Sequence, residues 1–177
     1  MPELAEVETI VRLLRDGRDG CPSIVDATIC DVQVMWERTV AVPAPSVFAA
    51  QITGQRINAI GRRGKFLHFT LGRQHLFIHL RMSGDLFVFA APDPKVDLKH
   101  ARLLFDLQSE DRRMWRMAFI DPRKFGRAWL VEDPQQVIGR LGPEPFSPEL
   151  DGAVFFKRLH GVRRGIKAAL LDQQLLA

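Results

Sequence analysis

Cysteine is scarce in this sequence: Cys21 and Cys30 are the only two among 177 residues. Two thiols alone cannot form a four-cysteine zinc site, and so few cysteines are typical of a reducing compartment. No run of residues approaches the roughly 18 apolar residues that a membrane helix needs. An apolar signal sequence is also lacking, because Glu3, Glu6 and Glu8 interrupt the beginning of the chain. We therefore expect a cytoplasmic protein that neither crosses a membrane nor binds a metal through these residues.

The overall composition is that of a folded, globular protein. Hydrophobic residues make up 46% of the chain and charged residues 26%, which excludes a disordered tail and a small scaffold that depends on disulfides. A length of 177 residues is enough for one complete domain, or for one domain and part of another.

Basic residues are concentrated in three segments, although the net charge is only +4. Residues 54–73 carry five lysines and arginines without an acid, and residues 157–167 carry another five. Residues 112–127 carry six against a single acid, Asp121. Such clusters are typical of proteins that bind a polyanion. On charge alone, ordinary solvated surface explains them equally well.

The first helix is clear from the spacing of its apolar residues. Leu4, Val7, Val11 and Leu14 recur at helical intervals, which predicts a helix over 3–15 that stops at Gly17. Most of the following chain forms short apolar segments separated by turn signals, as in an antiparallel β-sandwich. The predicted strands are 28–36, 57–60, 65–71, 75–82, 86–89, 102–107, 114–120 and 127–131, with a short helix over 46–52.

The character of the chain changes after Glu132, which predicts two domains, 1–133 with the sandwich and 134–177 with helices. Helices are predicted over 147–159 and 166–176. The second helical pattern reaches Ala177 without any residue that would end a helix. This favours a chain that has been cut over one that is complete.

The first residues, Pro2 and Glu3, offer an unusual chemistry. A small second residue permits removal of Met1, which would leave Pro2 with a free secondary amine. When such an amine condenses with an aldehydic carbon, the iminium cation withdraws electrons and favours elimination at the neighbouring carbon. Glu3 could donate or relay a proton. From these residues alone the simpler interpretation is favoured, in which Pro2 begins a helix and Glu3 complements its dipole.

Six segments follow one another in an order that is characteristic of a single family. They are 1–9 (MPELAEVET), 62–65 (RRGK), 79–84 (HLRMSG), 121–126 (DPRKFG), 141–145 (LGPEP) and 166–173 (IKAALLDQ). Together they resemble the formamidopyrimidine-DNA glycosylase and endonuclease VIII family, and most of all its formamidopyrimidine-DNA glycosylase branch. The resemblance implies a mainly β fold with helices: an antiparallel β-sandwich with an amino-terminal helix, then the start of a helix–two-turns–helix module.

The resemblance also implies a bifunctional enzyme of base-excision DNA repair. Such an enzyme removes an oxidised purine from double-stranded DNA and then nicks the strand as an AP lyase; we expect a monomer in the bacterial cytoplasm, associated with the nucleoid. Pro2 matches the nucleophile that forms a Schiff base with deoxyribose C1′, and Glu3 matches its acid–base partner. Lys65 matches the proton donor of β-elimination, although the residue alone would favour a solvated strand lysine.

The same resemblance implies which residues contact damaged DNA. Met82, Arg123 and Phe125 match side chains that fill the gap left by an extruded base. A thioether and a phenyl ring can wedge into the base stack, and a guanidinium can bond to the orphaned base. Without the motifs, Met82 would be interpreted as core and Phe125 as turn packing. The other matched DNA contacts are His100, Arg163 and Lys167.

The sequence departs from the family pattern in two places. Ala5 stands where the family commonly has proline, which is a mild change because alanine favours a helix. The family continues into the rest of the helical module and usually into a four-cysteine zinc finger, which also carries the arginine of δ-elimination. Neither part has a counterpart in this sequence. We therefore expect no cofactor in this chain, which would be a carboxy-terminally truncated member of the family.

Three alternatives remain open at the level of sequence. An endonuclease VIII-like enzyme would remove oxidised pyrimidines instead of purines. A damaged-DNA binding fragment would no longer catalyse, although the presence of Pro2, Glu3 and Lys65 argues against it. A generic basic sandwich that binds RNA or a protein would not depend on a free Pro2 amine.

Overall fold

The computed structural model describes residues 2–18 and 20–177. The chain divides between Asp133 and Pro134 into two compact units. Met1, whose removal the sequence predicts, lies outside the described residues.

The first unit begins with helix α1, Leu4–Asp16, as the apolar spacing predicts. Glu3 is the N-cap residue, and its backbone N–H donates to the Glu6 carboxylate. Gly17 ends the helix with a φ of 71°, and a Cβ at this position would lie 2.6 Å from the Ser23 nitrogen. Both the conformation and the close approach therefore require glycine. The inward-facing residues Val7, Val11 and Leu14 are buried.

The strands of the first unit form two sheets. They are β1 (Thr28–Val34), β2 (Val40–Val42), β3 (Ala59–Arg63), β4 (Phe66–Leu71), β5 (Gln74–His79), β6 (Asp85–Ala90), β7 (Ala101–Gln108), β8 (Met114–Ile120) and β9 (Arg127–Val131). One sheet has the order β1-β7-β8-β6 and the other β2-β9-β5-β4-β3. The predicted antiparallel sandwich is confirmed, except that β2 pairs with β9 in parallel.

Helices lie beside the edge strands on both sides of the sandwich. Helix α1 contacts β3 and β6, which are edge strands of different sheets. Helix α2 (Pro45–Ile52) contacts β1 and β2, the edge strands on the other side. Because α1 is anchored to both sheets, its amino-terminal end is held at a fixed place on the sandwich.

The core between the sheets is built from large apolar side chains. Phe48, Phe69, Phe105 and Phe119 are completely buried and belong to one cluster with the inward face of α1. Burying each ring contributes about 1.5–3 kcal/mol to the free energy of unfolding. The helix and the two sheets therefore share one hydrophobic core.

The predicted strand 75–82 is wrong at its carboxyl end, because β5 stops at His79. The next residues form a turn in which the Gly84 N–H donates to the Leu80 carbonyl at 3.0 Å. Arg81 has a φ of 58°, which is incompatible with an extended strand. Met82 is consequently carried by a turn, where its side chain is 48% exposed.

Other predicted boundaries differ from the structure by a few residues. The predicted strand 57–60 is shifted to β3, and the predicted strand 28–36 ends at Val34, just before a single helical turn at Glu37–Thr39. That turn and the short strand β2 were not predicted. Both span only three residues, which is too short to show a periodic pattern.

Imidazole and aromatic rings form a second layer on the outer face of the five-stranded sheet. Phe66 pairs with His79 and His68 with Phe77 across β4 and β5, on the face opposite the core residues Leu67 and Ile78. His68 stacks on Phe77 with centroids 4.4 Å apart, and Phe66 meets His79 edge-on at 4.6 Å. Burial lowers the pKa of His79 to about 4, with the charges of Arg81 and Lys65 adding to the effect.

Acidification is expected to lower the free energy of unfolding through His79. The unfolded chain takes up a proton on this residue as the pH falls through about 6.5, whereas the folded chain does so only near pH 4. Stability is therefore complete above pH 6.5 and declines towards pH 4, by up to about 3 kcal/mol for this group. Urea denaturation at pH 7 and pH 4.5 measures the loss, which should be smaller in His79→Gln. An equal pH dependence in the two proteins would contradict the assignment.

The second unit, Pro134–Ala177, contains three short helices. They are α3 (Gln135–Ile138), α4 (Gly152–Leu159) and α5 (Ile166–Leu170). The segment before α4 was predicted as helix from residue 147, which is wrong. Asp151 is the N-cap of α4, and its carboxylate accepts a hydrogen bond from the Val154 N–H at 2.7 Å.

The predicted helix 166–176 is also too long, because α5 stops at Leu170. Asp172 replaces the helix with a turn: its carboxylate accepts from the Gln174 N–H at 2.9 Å and its carbonyl from the Leu175 N–H at 2.9 Å. Aspartate competes with helical hydrogen bonds in this way. The last residues then return to the 141–145 turn, where the Ala177 N–H donates to the Pro143 carbonyl at 3.0 Å.

Candidate active site

Pro2 and Glu3 lie at the amino-terminal end of α1, where the helix dipole is positive. Pro2 is half-buried, whereas the Glu3 side chain is 52% exposed. Because α1 packs into the shared core, both residues are presented by a rigid element. These are the two residues that the family resemblance matches to a nucleophile and its acid–base partner.

Lys65 was predicted as the first residue of strand 65–71, which is wrong. It lies in the tight turn between β3 and β4. Arg63 and Phe66 are the last pair of the ladder, which leaves Gly64 and Lys65 as the turn residues. Gly64 has a φ of 55°, a conformation that glycine adopts without strain. The Lys65 ammonium is 2.5 Å from the Glu3 carboxylate, and only 8% of the Lys65 residue is exposed.

A second set of ion pairs holds the same two elements together. Glu8, one turn further along α1, accepts a hydrogen bond from Arg62 of β3 at 3.0 Å and one from Arg12 at 2.9 Å. The Arg12 hydrogen bond, supported by Arg62, holds the pKa of the Glu8 carboxyl below its usual range. The beginning of α1 is thus fixed to the turn that carries Lys65 by the Glu3 and Glu8 contacts. The sequence predicts neither contact.

His79, the last residue of β5, also lies near this centre. Its Nδ1 accepts from the Arg81 N–H at 3.0 Å, so the neutral ring carries its proton on Nε2. Within residues 2–18 and 20–177, Nε2 is buried without a hydrogen-bond partner. The pairing of His79 with Phe66, the residue after Lys65, is the signal that could have placed it here.

Three of the predicted DNA-contacting side chains lie on two exposed turns. Met82 and Phe125 are each 48% exposed, although both are apolar. Arg123 is also exposed, and its guanidinium carbon lies 5.1 Å from the centre of the Phe125 ring. The two turns are joined by a hydrogen bond of 2.5 Å from the Ser83 hydroxyl to the Asp121 carboxylate. His100 is half-buried, and its carbonyl accepts from the Asp121 N–H at 3.0 Å.

The remaining predicted DNA contacts belong to the second unit. Arg163 lies in the bend before α5, and Lys167 lies within α5. Both side chains are exposed. The neighbouring Arg164 forms an ion pair with Asp172.

The structural zinc site that the family resemblance implies does not fit the residues of this chain. The Cys21 thiol contacts the Val88 carbonyl at 3.0 Å, and Cys30 is exposed on β1. Two separate thiols cannot supply four zinc ligands. Among the described residues, no group of three or more histidine, cysteine or acidic side chains could hold a metal ion.

Across the described part of the chain, the helices are all too short or too polar to span a bilayer.

The site thus consists of a proline just before a helix, the N-cap carboxylate of that helix and a buried lysine from a turn of the two-sheet sandwich. Residues 1–128 match the family model of the formamidopyrimidine-DNA glycosylase N-terminal domain. This match covers more than half of the chain, and the chain therefore belongs to the formamidopyrimidine-DNA glycosylase family.

Individual relatives agree with this assignment. The formamidopyrimidine-DNA glycosylase of Geobacillus kaustophilus is 40% identical over 182 residues, which cover 100% of this chain and 62% of the relative. That of Protochlamydia amoebophila is 36% identical, covering 99% of this chain and 60% of the relative. The Lactococcus lactis enzyme, solved non-covalently bound to DNA with an AP site, superposes with a TM-score of 0.83 at 30% identity, covering 99% of this chain and 64% of that chain. This chain thus spans about 60% of the length of these relatives.

Proposed function

We propose that this chain carries the catalytic centre of a bifunctional DNA glycosylase and AP lyase of base-excision repair. The observation that carries the proposal is the short contact between Lys65 and Glu3, beside the position of the Pro2 amine. A buried ammonium that contacts the N-cap carboxylate of a helix, with a secondary amine on the residue before that cap, supplies a nucleophile and two groups for proton transfer. A surface that only bound DNA would gain nothing from burying this lysine.

In the proposed reaction, the Pro2 nitrogen attacks deoxyribose C1′ while the bond from C1′ to the damaged base breaks. The base leaves with the bonding electron pair and takes up a proton, for which Glu3 is the donor or relay. The proton of the attacking nitrogen then passes to O4′ as the C1′–O4′ bond breaks, which opens the ring and leaves an iminium ion between Pro2 and C1′. This cation acidifies the proton on C2′, which the Glu3 carboxylate left by the first step accepts, while the C3′–O bond breaks and the 3′ phosphate leaves with the bonding electrons. Lys65 supplies the proton for this elimination, and water finally hydrolyses the iminium to regenerate the amine.

We propose double-stranded DNA with an oxidised purine as the substrate. The exposed side chains Met82, Arg123 and Phe125 suit the gap from which a base has been extruded, and His100, Arg163 and Lys167 are proposed to contact the strand. Structural relatives were solved with DNA containing FAPY-dG and carbocyclic 8-oxo-G, which favours a purine over an oxidised pyrimidine. Because the relatives are bacterial, we propose that the protein acts on the DNA of the bacterial cytoplasm, and we propose separately that it does so as a monomer.

The 177-residue chain is expected to cleave abasic DNA but to release little oxidised base. An abasic site offers its aldehyde directly, whereas a damaged base must first be extruded at a cost of a few kcal/mol. The family resemblance places further DNA-contacting segments beyond the part that this chain matches. We expect release of 8-oxoguanine to be about 100-fold slower than cleavage at an abasic site, since each 1.4 kcal/mol changes a rate tenfold.

Two labelled duplexes, one abasic and one with 8-oxoguanine, test this on a denaturing gel, with mass spectrometry of the released base. An undamaged duplex of the same sequence is the control and should remain intact. Absence of cleavage at the abasic site would show that this chain is not a lyase, and equal rates on both substrates would show that extrusion needs nothing more than these residues.

A further inference from the structure

Asp121 is a completely buried carboxylate that no step of the proposed reaction uses. One oxygen accepts from the Ser83 hydroxyl at 2.5 Å and from the Arg123 N–H at 3.2 Å. The other oxygen accepts from the Gly126 N–H at 2.7 Å. Ser83 belongs to the turn that carries Met82, whereas Arg123 and Gly126 belong to the turn that carries Phe125. One side chain therefore holds both turns.

The backbone of Asp121 makes three more contacts, one of them with the Lys124 N–H, which donates to the Asp121 carbonyl at 3.2 Å. The Asp121 N–H donates to the His100 carbonyl at 3.0 Å, and the Asp121 carbonyl also accepts from the Arg102 guanidinium at 2.7 Å. Arg102 is itself 7% exposed, so this bond is shielded from water. Each candidate DNA-contacting residue of the first unit thus either forms a hydrogen bond with Asp121 or is next in sequence to a residue that does. These residues are Met82, His100, Arg123 and Phe125.

The two turns also rest on the same aromatic ring. A Cβ on Gly84 would lie 2.9 Å from Phe119 Cε2, and a Cβ on Gly126 would lie 2.2 Å from Phe119 Cζ. Phe119 is completely buried in the core. Only glycine fits at these two positions, because any Cβ would collide with the Phe119 ring. Both turns therefore pack on the same buried ring and are bonded to the same carboxylate.

We infer that Asp121 is a positioning residue that couples the Met82 turn to the Arg123–Phe125 turn, so that their side chains enter the DNA stack as one preorganised group. This inference rests on the proposed function. Filling the gap offsets the cost of extrusion only if the side chains arrive together, because ordering mobile turns at that moment would consume part of the gain. The bonds to Asp121 are donated to a buried acceptor, where such bonds are strong.

Ser83→Ala tests the coupling because it removes the bond between the turns and leaves the other contacts of Asp121. The probe is a duplex with one abasic site and 2-aminopurine as the base opposite, whose fluorescence reports insertion into the stack. We expect Ser83→Ala to reduce the rate of borohydride trapping on this duplex about tenfold, as for loss of a hydrogen bond to a charged group. On single-stranded abasic DNA, where no stack is entered, the rate should change less than about twofold.

Two further variants separate positioning from general loss of structure. Ser83→Thr keeps a hydroxyl and should restore most of the fluorescence change and the trapping rate. Ser109→Ala removes a bond of the same kind and length, from the Ser109 hydroxyl to Asp111 at 2.5 Å, in a distant exposed turn. It should leave both measurements unchanged. The inference would be overturned if Ser83→Ala and Ser109→Ala lowered the trapping rate equally. It would also be overturned if Ser83→Ala lowered the trapping rate equally on duplex and on single-stranded DNA.

A mutant cycle measures the coupling itself. Met82→Ala and Phe125→Ala are combined in the wild-type chain and again in Ser83→Ala, and trapping on the duplex is measured. In the wild-type chain, each single substitution should lower the trapping rate by some factor. The double substitution should lower it by about fivefold less than the product of those two factors, as expected for coupled sites. In the Ser83→Ala background, the double substitution should lower the trapping rate by the full product of the two single factors. Losses that multiply in both backgrounds would show that the two turns act independently.

Hydrogen exchange separates failure of this inference from failure of the proposed function. If the wild-type chain forms no covalent complex on either DNA, the proposed lyase activity is wrong, but the coupling of the turns can still be measured. The Gly126 amide, which donates to Asp121, should exchange at least about tenfold faster in Ser83→Ala than in the wild-type chain or in Ser109→Ala. Unchanged exchange would overturn the coupling, whatever the activity.

Discussion

One extra residue placed before Pro2 is expected to abolish covalent trapping on abasic DNA. The extension turns the secondary amine into an amide, which has no lone pair available to attack C1′. Replacing Pro2 with a residue that prevents removal of Met1 should have the same effect. The measurement is the yield of the borohydride-reduced complex on a denaturing gel, which should fall to the level of a reaction without borohydride.

The matched control adds the same residue after Ala177 and leaves the Pro2 amine free, so trapping should be unchanged. If trapping survives the block on Pro2, another amine must be the nucleophile. Lys65 would then be the first to examine, because its ammonium lies 2.5 Å from Glu3 at the same centre. That outcome would remove the central step of the proposed reaction while leaving the family assignment intact.

Lys65→Met is expected to separate the two halves of the reaction. The iminium should still form, because Pro2 is unchanged, but strand cleavage should slow by about 10²–10⁴-fold, which is the usual loss when a general acid or base is removed. The fold should persist, because methionine fills the space of the lysine and the Glu3 carboxylate, whose side chain is 52% exposed, stays hydrated without its partner. Single-turnover cleavage and borohydride trapping on the same duplex measure the two steps.

Lys95→Met is the control for this variant, because Lys95 lies exposed in the 91–100 segment. It should leave both steps unchanged. Cleavage at the wild-type rate in Lys65→Met would show that another group protonates the leaving oxygen. Equal loss of trapping and cleavage would show that the buried ammonium acts on the first step, through its contact with Glu3.

Local patterns predicted the elements whose causes are local. Helix α1 follows from the spacing of Val7, Val11 and Leu14, and Gly17 ends it as expected. The predicted helices of the second unit are too long because Asp151 caps the start of α4 at a later residue and Asp172 forms a turn after the end of α5. Their effect depends on side-chain geometry, which apolar periodicity does not reveal.

The candidate site shows the same division between local and distant causes. The residue types of Pro2 and Glu3 permit the proposed chemistry but by themselves favour a simple helix start, and the contact of Glu3 with Lys65 links positions that are far apart in the sequence. Only the family resemblance pointed to Lys65. The bond from Ser83 to Asp121 crosses from one strand connection to another, and no periodic pattern marks it. Such contacts depend on how the two sheets pack against each other, and no short segment of the sequence reveals that packing.

The anchoring of α1 to both sheets has a consequence for the DNA. A nucleophile at the end of a helix with a buried inner face cannot travel to its target, so in the proposed reaction the deoxyribose must be brought to the amine. The energy of deformation then falls on the duplex, where bending costs of order 1–6 kcal/mol and depends on the stiffness of the base steps. Because the helix is fixed, the protein would recognise how easily damaged DNA bends as well as the chemistry of the lesion.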